Sequence, residues 1–178
     1  MHTEEILTGV SLHHWLGTDE LGRDVLTRVI YGARTSVAYA VAATLCTAGV
    51  GTVLGVVGVY FGGVGDRMIQ GGVGIFQGLP GMSLMLAIAA LLPEGDTRLI
   101  LALTLTGWPG FSRVIRSEVQ RIRSETYIDG VKSLGAKPWY IIRYYVLPNL
   151  LPLFTVLLTL RVGSSLLSAS ALSYLGLG

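Results

Sequence analysis

The run TSVAYAVAATLCTAGVGTVLGVVGVYFGGVG, residues 35–65, carries no charge over 31 positions. A membrane-spanning helix needs about 20 apolar residues, so this run is long enough to cross a bilayer once. The alternating strands of an outer-membrane barrel are much shorter, at about 10 residues, so the run reads as helix. Working outward, residues 68–93 form a second uncharged gap and residues 99–112 a third, shorter one. The last gap runs from Tyr144 to Gly178 and is broken only by Arg161. The third gap spans if Arg98 and Arg113 reach back toward the headgroups. Four transmembrane helices are therefore expected, near residues 36–60, 69–92, 97–114 and 149–173, in an all-α, polytopic membrane helical bundle.

Composition agrees. Of 178 residues, 51% are hydrophobic and only 13% charged, where soluble domains carry about 25% charge. Mean hydropathy is +0.61. So few charges leave too little polar surface for an ordinary soluble globule or a disordered chain. The 24 glycines follow no collagen period, and a pI near 8.8 gives no reason to expect nucleic acid. Cys46 is the lone cysteine, so neither an intrachain disulfide nor a thiolate metal cluster forms. It is expected to be a small buried hydrophobe. The start, MHTEEILTGVSLHH, is acidic and lacks the apolar core of a signal peptide.

Glycine pairs at Gly51/Gly55, Gly58/Gly62 and Gly74/Gly78 are spaced i, i+4, which lets helix backbones approach in lipid. Orientation follows from the basic residues. Seven of the 13 lie between Arg113 and Arg143, against three acidic residues there. The first 35 residues and the 94–98 loop are net acidic. The 113–148 loop is thus expected on the cytoplasmic side and residues 1–35 on the other face, with residues 36–178 forming the membrane domain. Trp15, Trp108 and Trp139 are expected at the two interfaces.

The loop segment SETYIDGVKSLGAKPWYIIRYYVLPN, residues 124–149, reads as helix, glycine stop, helix. Thr126 and Asp129 have capping-box spacing. Tyr127, Val131 and Leu134 fall on one helical face. Gly135 stands where a left-handed C-terminal residue belongs. Lys137-Pro138 restarts the chain, and Pro148 is expected to end the second helix. A short amphipathic helix with a fixed turn is suited to docking in a partner's groove. A juxtamembrane linker lying on anionic lipid is the plainer alternative.

This segment resembles the coupling motif of permease subunits in binding-protein-dependent ABC importers. That motif reads Glu-Ala-Ala, three residues, Gly, nine residues, Ile-x-Leu-Pro. Here Asp129-Gly130-Val131, Gly135 and Tyr145-Val146-Leu147-Pro148 occupy those places. Asp replaces Glu, Gly and Val replace the alanines, and Tyr replaces Ile. HWLGTDELGRDVLTRVIYGARTSV (14–37), WPGFSRVIRSEV (108–119) and ALSYLGLG (171–178) also resemble segments of the dipeptide, oligopeptide and nickel subfamily, C-type subunit.

The resemblance implies a type I ABC importer transmembrane domain, of which this chain holds about four of six helices. It is thus expected to be a fragment. The resemblance also implies a second permease subunit, two ABC ATPase subunits and an extracytoplasmic solute-binding protein, in a multi-pass cell-membrane assembly. ATP and Mg would be bound by the ATPases, and this chain would hold no cofactor. ATPase coupling would fall to Tyr127, Asp129, Gly130, Val131, Leu134, Gly135, Leu147 and Pro148. Cargo would be di- or oligopeptides, nickel or a metal–chelator complex.

Arg161 is a charge inside an apolar span, costing about 2.5 kcal/mol or more. Ser164, Ser165 and Ser168 follow on its face, a polar stripe suited to a translocation path. The alternative is that Arg161 pairs with a partner's carboxylate or snorkels. Gln70 and Gln77 share a face and either line a pore or bridge helices. His13 and His14 are adjacent and point apart, so no metal site is expected. Asp19, Arg23 and Asp24 read as ion pairs and helix caps. No phosphate-binding G-x-x-x-x-G-K-[ST] motif and no intramembrane carboxylate or histidine pair is present, so no catalytic residue is assigned. A passive channel or secondary carrier subunit is the alternative function. It would need an intramembrane acid or histidine, or inverted repeats.

Overall fold

The computed structural model describes residues 6–176. Its helices are α1 (Val25–Phe61), α2 (Gly63–Gly78), α3 (Gly81–Leu91), α4 (Asp96–Arg123), α5 (Thr126–Ser133), α6 (Pro138–Ile141) and α7 (Leu147–Tyr174), with a π-helical turn at Ile142–Val146. Among the described residues the one β feature is an isolated bridge between Thr18 and Asp24. Two compact units divide at Tyr39/Ala40.

The first unit is organised by two carboxylates. Asp19 accepts from the backbone N–H groups of Leu21 at 2.9 Å and Arg23 at 3.0 Å, and from the guanidinium groups of Arg23 at 2.9 Å and Arg28 at 2.6 Å. Asp24 caps α1 by accepting from the Thr27 N–H at 2.8 Å, and His14 Nδ1 lies 3.1 Å from its other oxygen. The expected ion pairs and caps are therefore present, and α1 starts well before residue 36.

In the second unit α1 lies across α4. A Cβ at Gly51 would sit 2.9 Å from Phe111 Cβ, and one at Gly55 would sit 2.9 Å from Ser112 O. Only a glycine admits α4 so closely. The other two pairs do not do this work. Nothing approaches Gly62, Gly74 or Gly78, and Gly58 faces the Asp66 side chain. Cys46 is exposed rather than buried, because Thr44, Thr47 and Ala48 hold the packed face of α1.

The expected second span is broken. α2 and α3 meet at 100°, because Pro80 forces Leu79 into an extended conformation (φ −96°, ψ 146°). The expected third span is the front half of α4, which continues through Pro109 to Arg123. The Arg98 Nε donates to the Ala89 carbonyl of α3 at 2.7 Å, satisfying an orphan acceptor at a helix end. The fourth span is longer than expected. Pro138–Tyr174 is one 37-residue helical stretch, and Pro148 does not end it. A proline inside an α-helix clashes with the carbonyl four residues back. The π turn ahead of it widens the spiral there, and Asn149 Nδ2 donates to Tyr145 O at 2.7 Å. By length and composition two helices cross a membrane, or three if the bent α2–α3 pair counts as one. The expected third span, α4, is not among the helices apolar enough to cross by that measure.

The core lies where α1, α4, α5 and the start of the last helix converge. Val56, Val59, Ile115, Val119, Ile122, Ile128, Ile141 and Val146 form one buried cluster. Ile115, Val119 and Ile122 fall at i, i+4 and i+7 of α4, the spacing of one helical face.

Candidate functional site

α5 is an eight-residue helix displayed on this core. Its N-cap is Glu125, extended at ψ 139°, with no side-chain cap bond. The capping-box expectation for Thr126 and Asp129 is thus not met: Thr126 already lies inside the first turn. Asp129 instead accepts from Lys132 Nζ at 2.8 Å, and Glu125 accepts from Arg121 Nη1 at 2.8 Å. The end of α5 is a Schellman stop. The Gly135 N–H donates to Lys132 O at 2.9 Å and the Ala136 N–H to Val131 O at 3.3 Å, with Gly135 at φ +83°, a region that L side chains enter at a cost. Lys137 then caps α6 in an extended conformation with Pro138 in its first turn.

The sequence reading missed the residue that fixes α5. Ile128 is 0% exposed and sits among Ile122, Ile141, Ile142 and Val146. The signal was available, since a lone isoleucine between Tyr127 and Asp129 is apolar without belonging to the Tyr127/Val131/Leu134 face. With Ile128 inward, Tyr127 is 44% and Leu134 88% exposed. Val131 packs partly on the core, and a Cβ at Gly130 would meet nothing within 4 Å. Beside them is an aromatic cluster, Tyr127 with Tyr145 at 6.1 Å and Tyr140 with Tyr144 at 4.8 Å between ring centroids. Tyr140, Tyr145, Leu134 and Val131 help line a cavity of about 460 Å³. Leu147 and Pro148 lie beyond the π turn in the first turn of α7. The exposed Trp139 stands near this cluster in sequence. Trp108, in mid-α4, packs edge-on against Phe76 of α2 at 5.6 Å.

A second missed contact ties this corner to α2. Asp66 accepts from Arg116 Nε at 3.1 Å and Nη2 at 2.8 Å, a bidentate, half-buried pair. Arg123 donates to the Val59 carbonyl and lies over the Tyr60 ring at 5.6 Å. Asp66 is the single acid between Asp24 and Glu94, which marks it out in hindsight.

The polar residues of the last helix separate. Ser165 is buried and shares a 3.3 Å hydrogen bond with Thr44 of α1, so it joins helices. The exposed Ser164 donates back to the Arg161 carbonyl at 3.0 Å. Arg161 and Ser168 line one cavity of about 380 Å³ with residues of α3 and α4. Gln70 and Gln77, on α2, are not among its walls. Among the described residues no group of three His, Cys, Asp or Glu side chains is placed to hold a metal.

Residues 47–178 match the family described as binding-protein-dependent transport system inner membrane component. The chain is 40% identical over 168 residues to the dipeptide transport system permease protein of Bacillus subtilis (strain 168), covering 94% of this chain and 52% of the relative. It is 34% identical over 170 residues to the glutathione transport system permease protein of Pectobacterium atrosepticum, covering 96% and 56%. Against the glutathione permease protein of Escherichia coli O157:H7 the identity is 36% over 175 residues, covering 98% and 58%. The chain therefore spans little more than half the length of these relatives, whose names describe transport permeases and not enzymes. An all-α, multi-pass membrane bundle with this match is part of a type I ABC importer permease domain, and the chain belongs to the family of binding-protein-dependent transport system inner membrane components.

Proposed function

We propose that this chain forms part of the translocation path of an ATP-driven importer, with α5 as the helix that docks on an ATPase subunit. The observation that carries the reading is the display of α5. Its outer face presents Tyr127 and Leu134, its end is locked by Gly135, and its inner face is pinned by Ile128 to α4 and the last helix. A push on α5 therefore moves buried side chains on two long helices, since close-packed interiors transmit displacement. Asp129, Gly130 and Val131 shape the docking turn. Leu147 and Pro148 set where the last helix enters the membrane.

On this reading the basic 113–148 loop faces the cytoplasm and residues 1–35 the opposite side. The partners are a second permease subunit, two ATPases that hold ATP and Mg, and an extracytoplasmic binding protein. Relatives named for dipeptide and glutathione transport favour short peptides over nickel or a metal chelate as cargo. The test is Leu134→Asp in the complete importer. Uptake and co-purification of the ATPase should be lost while membrane insertion is unchanged. Normal uptake by this variant would overturn the docking role.

A further inference from the structure

Arg161 stands at the wall between two cavities. One, of about 380 Å³, is bounded by Met82 and Met85 of α3, Leu103 and Thr106 of α4, and Ser168 of α7. The other, of about 330 Å³, includes Gly107, Leu160 and Ser164. The first is within the range of small-molecule pockets, about 300–1,000 Å³. The guanidinium is poorly satisfied by its own chain. Nη2 reaches the Leu103 carbonyl at 3.3 Å, long for a bond from a cation, which runs at about 2.7–2.9 Å. Nε is buried without an acceptor. Among the described residues no carboxylate lies within 4 Å of Arg161.

The surroundings are arranged to hold the guanidinium there. A Cβ at Gly107 would overlap Nη2, so the glycine gives the group its place against α4. Ser168 lies two helical turns on, about 10 Å along the axis, and its hydroxyl makes no hydrogen bond to the described residues. A planar cation with open donors fits a carboxylate in a two-pronged bond. Met82 and Met85 offer flexible, polarizable walls that suit variable side chains.

We propose that Arg161 binds a free carboxylate of the transported molecule, with Ser168 as a second contact, and that it sets specificity for cargo with a free carboxylate over the corresponding amide. This rests on the transport reading above, and names the chemical class that the path accepts. Helices α3, α4 and α7 of this chain wall the cavity and leave it open on one side, so a small-molecule carboxylate has room to enter beside Arg161.

The test compares uptake of alanyl-alanine and alanyl-alaninamide, which differ in the C-terminal charge, by the complete importer with one unchanged binding protein. Loss of a charged hydrogen-bond partner corresponds to about tenfold or more, so Arg161→Met should lower the acid-to-amide uptake ratio by that factor, and Ser168→Ala by less. Arg161→Lys should retain most of the preference. Assembly with the partner permease, followed by size-exclusion chromatography, should be unchanged. An unaltered ratio in Arg161→Met overturns the inference while leaving the transport reading intact. Loss of assembly in that variant also overturns it, in favour of an intersubunit ion pair. A wild-type importer that moves neither peptide overturns the transport reading and this inference together.

Discussion

Two of the seams that α4 makes, toward α1 and toward α7, use glycine for different jobs. Toward α1, Gly51 and Gly55 admit backbone: the atoms facing a would-be Cβ include Ser112 N and O and Arg116 N. Toward α7, Gly107 admits the end of a flexible side chain, Arg161. The first seam merges into the apolar cluster around Ile115 and Ile128. The second opens on cavities and leaves a guanidinium underused. The contrast separates a joint that must stay closed from a wall that must accept something.

Ile128→Ala should break the comparison at its stiffest point. Removing a fully buried branched side chain costs about 2–5 kcal/mol, so thermal unfolding in detergent should shift strongly downward, and uptake should fall with α5 no longer pinned. Gly55→Ala comes next. Its Cβ meets a backbone carbonyl at 2.9 Å, and overpacking of this kind costs about 1–3 kcal/mol. Gly107→Ala should cost less in the same assay, because Arg161 can swing aside, yet it should disturb the acid-to-amide preference more than Gly55→Ala does. Equal unfolding shifts for the two alanines would erase the distinction between the seams.

These residues also show what the sequence could disclose. Charge gaps located the helices, since burying a charge in lipid is costly whatever the tertiary fold. Gly135 and Pro138 marked the docking turn because their backbone preferences are local. The break at Leu79-Pro80 was written in the same local terms, but the length of the uncharged run hid it. The π turn before Pro148 was not legible, because a proline only forbids a regular helix and leaves open whether the chain stops or widens. Ile128, the Asp66–Arg116 pair and the separation of Ser165 from Ser168 depend on which helix lies opposite. No pattern along one helix carries that. Of the three glycine pairs, spacing alone did not reveal which one meets a partner.

The smallest effect belongs to the entrance of α1, outside both seams. The Arg23 backbone N–H, with the Leu21 N–H and the Arg28 and Arg23 guanidinium groups, holds the Asp19 carboxyl well below its ordinary value of 3.8. The Thr27 hydroxyl and N–H, with His14, lower that of Asp24. A carboxyl with a depressed folded value stabilises above its unfolded value and loses that contribution as pH falls through the folded one. Hydrogen exchange at residues 17–28 should therefore be steady from neutral pH down to about 4 and rise only in stronger acid, once corrected for intrinsic rates. Asp19→Asn should weaken that dependence, leaving the part that Asp24 contributes. The glycine seam toward α1 should show no matching change.

The central claim, that α5 is the docking helix, is tested most directly by cross-linking. With Cys46 replaced by serine, Leu134→Cys on α5 and Leu151→Cys on the exposed side of α7 are introduced separately into the complete importer. A short thiol-reactive photo-cross-linker is then attached to each. Leu134→Cys should yield an adduct with an ATPase subunit whose amount changes when ATP is added, and Leu151→Cys should yield none. A transport-competent importer in which Leu134→Cys gives no ATPase adduct, or gives one no more readily than Leu151→Cys, would contradict the account.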